Sequence, residues 1–194
     1  MSLKNSADRW DGVSQLFHWV IVALLLVMAY LGLTMTDLPN SAHKAKVYAL
    51  HKSIGLAILA LAALRLLWRL HAGRPRELAM PRWQQRMATL THAVLYALLF
   101  ALPLSGWVVN SASGFPLRWF GLVRVPAIAP RDAALNALSK EVHDVLFWTL
   151  AVVVLVHATA AVWHHVVQRD ATLARMLPRR WLRLRSPTED APHA

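Results

Sequence analysis

The chain has 194 residues, 57% of them hydrophobic, a formal net charge of +11 and no cysteine. The missing cysteine excludes disulfides, iron–sulfur ligation, thioether-linked haem and a thiol nucleophile. The hydrophobic share exceeds the roughly 45–50% of a soluble protein and falls into four blocks. The basic surplus therefore reads as loops beside anionic lipid rather than as a nucleic-acid surface.

Residues 1–12 form a short polar N-terminal segment. A hydrocarbon core about 30 Å thick takes about 20 mostly apolar helical residues, and four segments meet that requirement. They are residues 13–34, 51–70, 87–109 and 142–167, with Pro103 kinking the third. The first is too long for the apolar core of a signal peptide and lacks a cleavage site after it, so it reads as a retained helix. Between the third and fourth spans runs a long loop, Asn110 to Glu141, holding "GFPLRWFGLVRVP" and then "RDAALNALSKE". Its apolar content predicts order, and its second piece predicts a short helix lying on the outer membrane surface. Residues 181–194 read as a flexible tail.

The expected fold is all-α, a four-helix transmembrane bundle spanning residues 13–180. Fourteen Lys and Arg residues fall on the side of the termini and seven on the other, which places both termini in the cytoplasm.

Histidines inside the spans set the functional question, because an unsatisfied ring nitrogen in hydrocarbon is costly. His51 starts the second span and His143 the fourth, so the two share a depth at the outer face. His157 follows His143 by 14 residues, a phase lag of about 40° and a rise of about 21 Å. It thus lies on the same helix face, at the depth of His18 on the first span. Two pairs result, His51 with His143 and His18 with His157. Imidazoles facing one another across a bundle suit axial ligation of haem iron. Gly55 and Ala161, one turn after His51 and His157, leave room for a flat macrocycle. Arg65 is also 14 residues beyond His51, on the same face and level with the inner pair. There it can meet a haem propionate or extend to lipid phosphate.

The other histidines read differently. His92 lacks a partner at its own depth, so packing or a propionate contact is expected. His164, seven residues past His157, is the rival ligand for His18. Two pairs about 21 Å apart cannot form one zinc site, whose ligands converge within a few ångströms. Hydrolase and nucleotide-loop motifs are missing.

The stretches "LFHWVI", "HKSIGLAILALAALRLLWRL", "ALPLSGW", "VHDVLFWTLAVVVLVHATAAVWHH" and "LARMLPRR" together resemble the bacterial cytochrome b561 family over about residues 10–180. The resemblance implies an inner-membrane protein with two haem b groups, held by His18, His51, His143 and His157, that exchanges electrons with ubiquinone. It also implies superoxide as a donor, as in a superoxide:ubiquinone oxidoreductase. The alternative it carries is a membrane-anchor subunit passing electrons from a periplasmic dehydrogenase. Lys52, beside His51, with Arg118, Arg124 and Lys140, would steer a small anion at the outer face. For the quinone headgroup two places stay open: Trp and Phe of the third loop outside, or His92 and Trp163 inside. Catalytic residues and oligomeric state are not assigned by the sequence.

Overall fold

A computed structural model describes residues 9–73, 75 and 80–177. The basic residues Lys4, Arg74, Arg76 and those from Arg179 onward, with the tail 181–194, lie outside the described residues. Four helices make up most of the rest: α1 Gly12–Thr34, α2 Ala42–Ala72, α3 Arg82–Ser113 and α4 Ala133–Val166. Each is long and apolar enough to cross a membrane. A short antiparallel hairpin, β1 Leu117–Trp119 and β2 Val123–Val125, stands between α3 and α4. The bundle has a terminal end, where α1 begins and α4 stops, and a hairpin end opposite it.

Most large apolar side chains point outward, Leu26, Tyr30, Leu67, Leu70, Leu155 and Trp163 among them. In water this would be unstable; in hydrocarbon, lipid tails solvate these groups as well as protein does. The compact core is small. Ile21, Ile54, Ile58, Ala62 and Leu99 are buried, with Leu24, Met28 and Phe100 packed around them. It joins α1, α2 and α3.

Two helices start earlier than the hydrophobic blocks suggested. Ser41 caps α2 by accepting from the Lys44 amide, so His51 sits nine residues inside the helix. Asp132 caps α4 by accepting from the Leu135 amide. The segment "RDAALNALSKE" is therefore not a separate surface helix; from Ala133 onward it forms the first turns of α4, and His143 lies ten residues inside. The reason is local. No glycine or proline separates Ala133 from Val142, and strong helix formers carry the hydrogen-bond ladder through the polar stretch. Pro103 stays inside a continuous α3.

The terminal end is tied by polar contacts. Asp11 caps α1 through the Val13 and Ser14 amides and accepts from the Trp68 indole of α2 at 3.1 Å. The segment after α4 folds back over α1: Trp19 Nε1 donates to the Met176 carbonyl at 2.9 Å, and Gln15 Nε2 to that of Arg175 at 3.3 Å. His164 pairs with Asp170 at the start of this return. Burial disfavours the Asp170 carboxylate, but hydrogen bonds from Thr172 and His164 outweigh it and hold its pKa below the usual value. His164 is thus engaged at the end of α4.

At the other end the hairpin docks on α2. Trp119 Nε1 donates to the Ser53 carbonyl at 3.1 Å, and the Phe120 amide donates to Ser53 Oγ at 2.9 Å. The turn has positive φ at both central residues, Phe120 (48°) and Gly121 (75°), the sign that matches strand twist in tight hairpins. Ser53→Ala should remove the Phe120 contact and cost about 1 kcal/mol locally. Amide exchange at Phe120 should then quicken about fivefold. Unchanged exchange would mean that the hairpin is held elsewhere.

Candidate functional site

The structure brings the four histidines together as two pairs. His18 of α1 and His157 of α4 have ring centroids 6.4 Å apart at the terminal end. His51 of α2 and His143 of α4 have the same 6.4 Å separation at the hairpin end. The rings are steeply inclined to each other, by 74° and 69°. Both pairs connect α4 to a helix outside its close packing: α4 packs on α3, while α1 packs on α2 and α2 on α3.

These distances test whether the pairs fit a metal. Two imidazoles bonded through nitrogen to opposite sides of one ion, each about 2 Å away, would have centroids a little over about 6 Å apart. The observed separation fits this, whereas rings stacked or hydrogen-bonded directly would be closer. Buried nitrogens give a second test. His18 Nδ1 and His51 Nδ1 are buried with no hydrogen-bond partner among the described residues, a costly state away from water. A third test comes from His143. Ser105 Oγ lies 2.7 Å from the Leu102 carbonyl and 2.9 Å from His143 Nδ1. Its one hydrogen goes to the carbonyl, which can only accept, so His143 Nδ1–H donates to Ser105. That tautomer leaves Nε2 unprotonated and free to ligate, the arrangement that an outer partner imposes on a metal-binding histidine. No three histidine or carboxylate groups among the described residues cluster as another metal centre.

The space beside the rings comes from glycines that the sequence did not single out. A Cβ on Gly106 of α3 would stand 3.1 Å from His143 Cε1, and one on Gly32 of α1 would stand 3.4 Å from His51 Cε1. Gly55, expected to clear the macrocycle, instead faces Met28 of α1. Phase within α2 could not reveal this, because α1 occupies that side.

Arg65 and His92 both belong to the terminal-end site. Arg65 lies within Coulombic reach of His18 and His157, the level that its spacing from His51 indicates. Its guanidinium stands 5.7 Å from the Tyr96 ring centre, and that of Arg69 stands 5.4 Å from the same ring. Tyr96 and Arg69 were missed; the i, i+4 spacing of the two arginines was the available signal. His92 corrects the reading that it has no partner at its depth. Its ring is 5.2 Å from His157, and its Nδ1 donates to the Ala88 carbonyl at 2.6 Å. It was overlooked because its depth on α3 depends on where that helix starts, which the hydrophobic block left loose.

At the hairpin end, Lys52 is half-buried and within Coulombic reach of His51. Arg118 and Arg124 are exposed and directly opposite each other across the hairpin, and Lys140 is exposed on α4. Lys44 is committed elsewhere, donating to the carbonyls of Thr36 and Leu38.

The family model for prokaryotic cytochrome b561 matches residues 9–179. Cytochrome b561 homolog 2 of Escherichia coli (strain K12) is 35% identical over 181 residues, covering 91% of this chain and 95% of that protein. Cytochrome b561 homolog 1 of the same organism is 28% identical over 176 residues, covering 89% and 99%. The probable superoxide oxidase CybB of Yersinia pestis is 30% identical over 164 residues, covering 84% and 92%.

Proposed function

The chain belongs to the prokaryotic cytochrome b561 family, b-type haem proteins of membrane electron transfer, and from that premise we propose that it carries electrons from superoxide at the outer face of the bacterial inner membrane to ubiquinone. The observation that supports this most is the pair of cross-helix imidazole couples at opposite ends of the bundle. His51 with His143, and His18 with His157, would each hold one haem b. The haem supplies one-electron redox chemistry when bound. In this reading the hairpin end faces outward and both termini face the cytoplasm, as the distribution of Lys and Arg favours.

The remaining work falls to the chain. Ser105 fixes the tautomer and orientation of His143. Arg65, with Arg69 behind it on the Tyr96 ring, would neutralise propionate charge at the terminal end. Lys52 lies beside the hairpin-end pair, Arg118, Arg124 and Lys140 add exposed positive charge at that end, and the Trp119–Ser53 contact holds the hairpin over α2 beside His51. A small anion would be drawn to such a surface by the positive charge of these side chains.

Superoxide-driven reduction of the haem-loaded protein should fall about threefold or more from low to physiological ionic strength, as screening shortens the reach of these charges. A rate flat across the salt series would remove the steering role. Failure of superoxide to reduce the protein at any salt concentration would remove the donor.

A further inference from the structure

The ring of His143 is oriented by Ser105, whereas His18 Nδ1 is buried with no hydrogen-bond partner among the described residues. His51 Nδ1 shares that lack, but its helix α2 is packed between α1 and α3. α1 packs on α2, and α4 on α3, so helix packing by itself does not set the position of His18 against His157.

The segment that follows α4 links these two helices. At its start the Asp170 amide donates to the His164 carbonyl at 3.1 Å. The Asp170 carboxylate pairs with His164 Nδ1 and accepts from the Thr172 amide at 2.8 Å. The chain then makes a 3-10 turn, Ala174–Met176, with Ala174 buried. Three successive carbonyls of this strap are taken by side chains at the start of α1. Gln15 Nε2 donates to that of Arg175 at 3.3 Å, Trp19 Nε1 to that of Met176 at 2.9 Å, and Arg9 Nη1 to that of Leu177 at 3.4 Å. Carbonyls at the aqueous end of a bundle can be satisfied by water. Their capture in register by α1 therefore fixes a geometry.

Gln15 and Trp19 lie one turn apart, about 40° from each other around the helix, and reach the strap together. His18 stands beside them, its ring 5.2 Å from that of Trp19 in an edge contact. Turning α1 by about 20° would carry a side chain at the helix surface about 2 Å, enough to break both hydrogen bonds. The same turn would swing His18 away from His157.

We infer that Gln15 and Trp19 are positioning residues: bound to the strap, they fix the rotation of α1 and so hold the His18 ring at its 74° inclination to His157 in the terminal-end haem site. His164 and Asp170 anchor the strap to the helix that carries His157. The inference rests on the haem reading of this pair. The angle between axial imidazole planes sets the anisotropy of the low-spin ferric EPR signal, so rotation of His18 has a signature that lost stability alone does not.

The test follows haem transfer from the full-length haem-loaded protein to apomyoglobin, together with that EPR signal. The terminal-end haem is the kinetic phase and the signal missing in His18→Ala. The double variant Gln15→Met with Trp19→Phe should release this haem about tenfold faster and shift its signal, leaving the hairpin-end haem unchanged as the check on folding. Asp170→Ala acts at the far end of the strap without touching α1 and should quicken the same phase about fivefold. Asp170→Asn, which can still bond Thr172 and His164, should stay within about twofold of the unaltered chain. An unchanged terminal-end phase in both the double variant and Asp170→Ala would overturn the inference. So would equal quickening of both phases, or faster release with an unshifted signal. An unaltered chain with no phase that His18→Ala removes would overturn the haem reading of the pair and this role with it.

Discussion

His51→Ala and His143→Ala are each expected to remove the same haem, and His18→Ala and His157→Ala the other. Each variant should lower the haem-to-protein ratio by roughly half, because a macrocycle held by one axial imidazole in a bundle loses most of its anchorage. The expectation follows from the two 6.4 Å separations, each linking α4 to a helix other than α3, its main packing partner. Without the metal bond, little direct packing joins those helices at that point. Reduced-minus-oxidised spectra and redox titration of the four variants would show two groups, each keeping one midpoint potential. His157→Ala needs a companion, since His92 lies 5.2 Å away and is the nearest replacement ligand. The double variant His92→Ala with His157→Ala removes that route. Four variants with full haem content, or losses that group differently, would refute the pairing.

The second large effect is steric. Gly106→Val should eliminate the hairpin-end haem while sparing the terminal-end one. Its Cβ would stand 3.1 Å from His143 Cε1 and 3.5 Å from Nδ1, and its two methyl groups would reach further into the ring's space. The ring must turn, which breaks its bond to Ser105 and moves Nε2 off axis. Overpacking of this kind costs about 1–3 kcal/mol, and here the loss falls on one ligand. Gly32→Ala is the milder counterpart, because its Cβ would meet His51 at 3.4 Å, close to ordinary contact. The haem ratio should fall by roughly half in the first variant and stay near its starting value in the second. Equal haem content in the two would show that His143 has more room than Gly106 allows.

Much of the site is legible in the sequence. Spacing within one helix converts directly to depth and phase, so the 14-residue interval from His143 to His157 places both rings on one face. The same interval from His51 places Arg65 level with the terminal-end pair. Composition locates four spans, since a run of about 20 apolar residues has few other stable uses. The cap residues Ser41 and Asp132 were present as signals. Hydrophobic block edges mark where the oil begins and not where the helix does.

What the sequence by itself determined is everything that one helix can carry alone: span number, the relative depth of residues along one helix and the faces they share. What only the tertiary structure decided is what meets those faces. It turned Gly55 toward Met28 and put Gly106 and Gly32 beside the rings. It set His92 against His157, brought Ser105 to His143 and folded the Trp119 hairpin onto Ser53. Helical periodicity is a local property fixed by backbone geometry. The rotation of neighbouring helices and the return path of a loop are fixed by contacts between residues far apart in the chain, and no single stretch encodes them.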